Sequence, residues 1–340
     1  MGRKLATVQK ITALTPIIGA DKIEVASVLG WKVVVLKDQF KVGDPCVYCE
    51  IDSILPDKPE FEFLRERKFR IRTVRLRGQI SQGIAFPTSI LPDAFTFMPL
   101  EEGKDVTDVL GIEKFIPQIP ADLAGTVKGP FPSFIPKTDE TRVQVLQDVL
   151  MRHKGKFCYV TEKVDGTSVT YYIKDGGFGA CSRNLELIET PDNTIWKMAR
   201  LLKIEEKLKG LGYNVAVQGE LIGPGIQKNN LKIPERAVLF FNAFDIDKFR
   251  YLNFSEFVNF YEQIGLPTVP IIQKGYELED SIDALVEKSK GFSILNEKVM
   301  REGIVIRPFE EGFDMQMASG FGNGRLTFKA VNPEYLLKFE

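Results

Sequence analysis

An α+β fold in two parts is expected from three observations. Short β-branched runs fill residues 1–115, a proline-rich stretch follows, and residues 138–340 mix strand-like with helix-like periodicity. In the first part KIEVASV, WKVVVL, CVYCEIDSIL, FRIRTVRL and GIAFP are divided by Gly, Pro and Asp turns. Five or so short strands in that length suit a small closed barrel of the OB type. Pro117, Pro120, Pro130, Pro132 and Pro136 mark residues 116–137 as a semi-rigid connector. Proline lacks the N–H that a strand ladder needs and fixes φ. Thr138 then caps an expected helix through Val143, Leu146 and Leu150.

In residues 138–340 strands are expected at 156–164, 168–174, 178–182, 214–222, 237–246, 303–307 and 326–331. Helices are expected at 192–209, 254–264 and 280–290. The first carries Ile195, Met198, Ala199 and Leu202 on one face. Hairpin-like neighbours and irregular helix placement favour a mixed, largely antiparallel sheet over a doubly wound one.

Composition narrows the chemistry. A chain of 340 residues with 44% apolar and 27% charged side chains is that of an ordinary globular protein with about two domains. The net charge of −1 leaves nucleic-acid affinity to local patches. No apolar run approaches the ~20 residues that cross a bilayer. The N-terminus, MGRKLATVQKITALTP, carries too many charges for a secretory signal. Ala6 also stands where an acylation pattern wants Ser or Thr. An intracellular protein, cytoplasmic or nuclear, is expected. Cys46, Cys49, Cys158 and Cys181 do not complete a zinc pattern and read as buried thiols. His153 is the one histidine and sits in the charged MRHKGK, so histidine triads and histidine-ligated metals are set aside. Catalysis is left to lysine, arginine, carboxylates or a metal held by oxygen.

Lys163 poses the sharpest question, because it stands in an apolar run two residues before Asp165-Gly166. A hairpin with Lys163 facing water is one reading. A nucleophile held at a strand end, with Asp165 beside it, is the other. Neither GxxxxGK[ST] nor GxGxxG before a helix occurs, so nucleotide chemistry has to take another form.

Six strings supply that form: Glu162-Lys163-Val164-Asp165-Gly166-Thr167, Ser182-Arg183-Asn184, Gln218-Gly219-Glu220, Phe241-Asn242-Ala243-Phe244-Asp245, Glu302-Gly303-Ile304-Val305-Ile306-Arg307 and Leu326-Thr327-Phe328-Lys329. In order and spacing they resemble the covalent nucleotidyltransferases, the polynucleotide ligases and mRNA-capping enzymes. Most similar are the RNA ligases with an N-terminal OB-like module, the fifth RNA ligase family. The resemblance extends to FIPKTDETR, QGELIGPGIQKN and FKAVNPEYLLK and covers most of the chain.

The resemblance implies that Lys163 attacks the α-phosphorus of ATP and carries AMP. An amine with an ordinary pKa of about 10.4 must first lose its proton. By the same resemblance Asp165, Glu220 and Glu302 serve the ribose and, through water, a Mg²⁺ or Mn²⁺ ion. Carboxylates suit such hard cations. Arg183 grips phosphate or ribose, Lys329 meets the α-phosphate, Phe244 stacks on adenine and Glu162 lies at the base edge. Thr327 departs from relatives that carry two lysines one residue apart there. Arg325 and Lys338 are the candidates for the second cation. Ser168 replaces an asparagine of some relatives.

Residues 65–77 hold seven basic side chains in thirteen. A solvated strand face is one reading. The other places Arg70, Arg72, Arg75 and Arg77 on RNA phosphates, with Phe69, Ile71 and Leu76 packed behind. DNA ligases and capping enzymes continue into a C-terminal OB domain, whereas this chain ends eleven residues after Lys329, which favours RNA. The expected protein is a monomeric ATP-dependent RNA ligase joining 3′-OH and 5′-phosphate ends, with a nicked duplex as substrate. A DNA ligase and a non-enzymatic RNA-binding protein are the rivals.

Overall fold

A computed structural model describes residues 4–95, 100–115, 127–318 and 324–339. The N-terminal barrel is built around strand Ala6–Pro16, which the sequence pattern had not marked. Its first half pairs with Pro45–Cys49 and its second half with Ile23–Val28, with a register shift between Ile11 and Ala13. Trp31–Leu36 and Ile84–Pro87 complete the five-stranded sheet at its two edges. Glu113–Lys114 returns to pair with Ser53–Ile54. Cys46, Cys49, Cys158 and Cys181 are all buried free thiols, and burial pushes Cys46 and Cys158 up to about 12.

The arginine-rich stretch is not a continuous strand. Pro59–Arg67 forms a 3₁₀ helix, and Lys68 and Phe69 both take left-handed backbone that ends it. Val74–Leu76 then pairs with Gln79–Ser81 in a hairpin turning at Arg77-Gly78. Arg70, Arg72, Arg75 and Arg77 therefore do not form the expected row along one continuous strand, since only Arg75 lies within a strand. Arg70 turns inward to Asp52 at 2.8 Å and lies over the Phe115 ring. Arg75 binds both carboxylate oxygens of Glu334, and Arg72 and Arg77 are exposed.

The second part is two sheets. One runs Thr141–Arg142, Phe328–Val331, Gly303–Pro308, Phe157–Lys163, Ile271–Glu277. The other runs Val127–Pro130, Leu185–Leu187, Gly177–Ser182, Thr167–Lys174, Val215–Ile222, Ala237–Asp245, Arg250–Tyr251. All seven expected strands are present. Helix Phe254–Ile264 begins at an Asn253–Glu256 capping box and stops at left-handed Gly265, so its bounds match the expected ones. The expected 192–209 helix is two, Thr194–Leu201 and Ile204–Lys209, separated where Lys203 takes φ 52°.

Thr138 caps no helix. Thr141–Arg142 is a short parallel strand, and the helix is confined to Gln147–Arg152. Pro117 and Pro120 of the expected connector lie outside the described residues. Its later half is no free tether, because Val127–Pro130 extends the second sheet and Phe131 and Ile135 are buried on it. Among the described residues no helix is long and apolar enough to cross a membrane.

The barrel and the first sheet share one apolar cluster, from Trp31 and Ile51 through Leu146 and Ile282 to Ile304 and Phe328. Polar groups fix the same junction. Asp52 accepts from half-buried Arg70 and, at 3.2 Å, from buried Arg142, joining guanidiniums of both parts. Gly30 donates to the Gln144 carbonyl at 2.8 Å. A Cβ on Gly30 would stand 2.8 Å from that oxygen and 2.6 Å from Ile282 Cδ1. Gly30→Ala should therefore lower stability by about 1–3 kcal/mol through overpacking. Gly129→Ala, which meets nothing within 4 Å, should leave the melting temperature nearly unchanged in the same thermal melts.

Candidate active site

Lys163 ends strand Phe157–Lys163 with its Cα opposite Gly303, and Thr167 opens a strand of the other sheet opposite Leu221. Val164, Asp165 and Gly166 thus carry the chain from one sheet to the next, which corrects the hairpin reading. Gly166 is required at that crossing, since a Cβ there would stand 2.3 Å from the Leu221 carbonyl oxygen.

A cavity opens along the seam. Glu162, Lys163, Arg307 and Lys329 line it from one sheet, and Ser168, Glu220 and Phe241 from the other. Asp139, Glu140 and Arg183 close its rim. The Lys163 ammonium donates to Glu302 Oε1, placed directly before the neighbouring strand. Burial alone would pull this amine down, but the charges of Glu302, Glu220 and Asp165 outweigh it and hold the lysine above its ordinary range. Glu220 is pushed up to about 8, first by burial and then by Glu302 and Asp165, against the pull of Lys163. Asp165 accepts from Tyr335 Oη at 2.6 Å and Asn230 Nδ2 at 2.9 Å.

Glu162 is buried above its usual carboxyl range by desolvation. Its Oε2 accepts from the Ile294 amide at 2.8 Å, while Oε1 has no protein partner among the described residues. That leaves a polar atom in the cavity wall able to accept from, or donate to, a ligand.

Cations gather at the rim. Asp139 Oδ1 lies 3.2 Å from Arg183 and 3.5 Å from Lys329, and its Oδ2 lies 3.2 Å from Lys114 of the barrel side. Glu186, three residues on from Arg183, pairs with Lys128 and accepts from Tyr172 Oη. Arg307 is 2% exposed and donates at 3.1 Å to both Thr161 Oγ1 and Glu140 Oε1. Burial would raise the Glu140 carboxyl, but Arg307 and Lys329 hold it below the usual range.

Phe244 does not reach this cavity. It packs at 1% exposure among Phe249, Tyr251 and Ala216, and Phe241 is the aromatic that lines the site. In strand Ala237–Asp245, Phe240 and Asn242 pair with Gly219 and Gln218, so Phe241 is the extra residue of a bulge, while Phe244 pairs regularly with Ala216. Arg325 is also placed elsewhere, paired with Glu311 at 2.6 Å and lying over Tyr251. Lys338 lies over Phe339. Neither lines the cavity, whereas Arg307 does. Asp139, Glu140 and Arg307 were present in quoted strings without a role, and their only sequence signal was charge within the repeated order.

Among the described residues no three acidic, histidine or cysteine side chains converge closely enough to ligate an ion directly. Glu220 and Glu302 are nonetheless hard oxygen donors crowded round one ammonium, a donor set that fits a divalent ion held through its own water.

A sequence model described as an OB-fold domain matches residues 5–88, and one described as RNA ligase matches residues 156–331. No curated protein matches. Solved structures of Naegleria gruberi RNA ligase are similar along the whole chain. An apo aspartate-to-alanine variant is 38% identical, covering 99% of this chain and 98% of that one with a TM-score of 0.88. A lysine-to-alanine variant with ATP and Mn is 38% identical, with 98% of each chain covered and a TM-score of 0.88. The form with PPi is 39% identical, with 98% of each chain covered and a TM-score of 0.87.

The raised Glu220 pKa makes stability depend on pH. Between the ordinary carboxylate range and about 8 the folded state binds more protons at Glu220 than the unfolded state does, so stability falls as pH rises across that window. Glu220→Gln should therefore raise the melting temperature in metal-free buffer more at pH 8 than at pH 5. An equal gain at both would contradict the assignment.

Proposed function

The chain belongs to the RNA ligase family, and on that premise we propose that it joins RNA 3′-OH and 5′-phosphate ends through a nucleotide bonded to Lys163. It is an ATP-dependent covalent nucleotidyltransferase. The reading rests on one observation: a half-buried lysine at a strand end, in contact with Glu302, in a seam whose rim gathers Arg183 and Lys329.

The Lys163 nitrogen, once neutral, forms the N–P bond to the α-phosphorus of ATP as the P–O bond to pyrophosphate breaks. AMP next passes to the RNA 5′-phosphate, freeing the lysine. The RNA 3′-OH then attacks that phosphate, closing the phosphodiester and releasing AMP. Asp165, Glu220 and Glu302 are the residues that would hold a Mg²⁺ or Mn²⁺ ion through its water, and such an ion would supply charge neutralisation at the α-phosphate.

Arg183, Arg307 and Lys329 offset the remaining phosphate charge. Glu162 meets the adenine edge and Phe241, rather than Phe244, stacks on the base. Residues 1–115 act as the RNA-binding module, with Arg72 and Arg77 toward phosphates, and 138–340 as the transferase. A nicked duplex is the favoured substrate, because it already holds both ends together.

Incubation with ATP and Mn²⁺ should add the mass of AMP less water to the intact protein, and Lys163→Met should abolish the addition. A Lys163→Met protein that still gains AMP would sink the assignment. On substrates, a 3′-OH/5′-phosphate RNA nick should be sealed faster than the same ends on unpaired strands or in an all-DNA nick. Equal joining of 3′-phosphate/5′-hydroxyl ends would contradict the end chemistry.

A further inference from the structure

The C-terminal helix Pro333–Phe339 begins directly beside Glu302 and reaches Asp165 with one side chain. Its start is fixed by Asn332. That residue donates its amide to the Glu302 carbonyl at 2.8 Å and its Nδ2 to the Arg301 carbonyl at 3.2 Å. Its Oδ1 accepts from the Glu334 amide at 3.0 Å. Tyr335 is buried, and its ring packs against Phe339 at 4.6 Å between centroids. On the solvent side Glu334 is gripped by Arg75 of the barrel hairpin at 2.7 and 2.8 Å. The phenol therefore has little freedom, and its hydroxyl donates to Asp165 Oδ2 at 2.6 Å.

Asn230 Nδ2 donates to that same oxygen at 2.9 Å. Among the described residues, Asp165 Oδ1 accepts no hydrogen bond. Two donors on one oxygen select a single carboxylate orientation and leave the other oxygen uncommitted. The carboxylate so held is the one whose charge acts on Lys163, Glu220 and Glu302 together.

We propose that Tyr335 is a positioning residue for lysine adenylylation, acting through Asp165 by fixing one carboxylate oxygen and presenting the other to the nucleotide site. The proposal rests on the ligase reading. It makes the helix after the last strand part of the active site. Without the hydroxyl, Asp165 has to be oriented at each turnover by Asn230 alone.

Single-turnover formation of lysyl-AMP from ATP and Mn²⁺ tests this. Tyr335→Phe keeps the ring and should slow adduct formation about 10-fold, the range for one hydrogen bond to a charged group. In an Asp165→Asn background the same change should cost less than about twofold, because the partner through which it acts is gone. Asn230→Ser should show the same dependence on Asp165, which keeps the test alive if Tyr335→Phe folds poorly. Tyr335→Phe at the wild-type rate, or a 10-fold loss that persists undiminished in the Asp165→Asn background, overturns the positioning role. Absence of lysyl-AMP in the wild-type protein overturns the ligase reading and this inference with it.

Discussion

An ammonium half-buried against carboxylates is the constraint on which this structure turns. A lone charge at Lys163 would be expensive in a low-dielectric seam, and contact with Glu302 makes it tolerable. That contact requires two strands in one register. Lys163 and Gly303 are partners in the ladder, and a Cβ on Gly303 would stand 2.3 Å from the Ala330 carbonyl oxygen. The glycines of Asp165-Gly166 and Glu302-Gly303 thus serve one purpose, letting backbones close around the charged pair. Excess negative charge from Glu220 and Asp165 then keeps the amine protonated, so its reactivity depends on whatever neutralises those acids.

The cavity is polarised from end to end. Carboxylates surround the nucleophile, while Arg183, Lys329 and Lys114 converge on Asp139 and Arg307 on Glu140. These cations are held by carboxylates of the segment Asp139-Glu140, at the junction between barrel and transferase. Their positions are fixed before an anionic ligand arrives, so less reorganisation is needed to bind phosphate. The barrel takes part directly, through Lys114 at the rim and Arg75 on the C-terminal helix. Its shared apolar core with the first sheet makes that geometry rigid rather than tethered.

Much of this was legible in the sequence, and what was not has physical causes. Strands of the transferase announced themselves because they are buried on both faces and rich in Val, Ile and Phe, as in Gly303–Pro308. Ala6–Pro16 did not, because Lys10, Thr12 and Thr15 interrupt a strand that is buried only along its first half. The arginine run misled because alternation of charge and apolar residues also arises in a 3₁₀ helix followed by a hairpin. Lys163, Glu220 and Lys329 were placed by their neighbours in order. Phe241 was missed because nothing in FNAFD separates it from Phe244, and the bulge at Phe241 is invisible to a period-2 reading. Tyr335 was missed because nothing in FKAVNPEYLLK signals that its phenol turns back to Asp165.

Glu302 and its neighbours hold Lys163 protonated. Competitive labelling of lysine amines across pH, read by peptide mass spectrometry in metal-free and nucleotide-free buffer, measures this directly. Lys163 should titrate above the ordinary lysines of the chain, and Glu302→Gln should move it downward. A Lys163 that titrates below them, or one indifferent to Glu302→Gln, would contradict it.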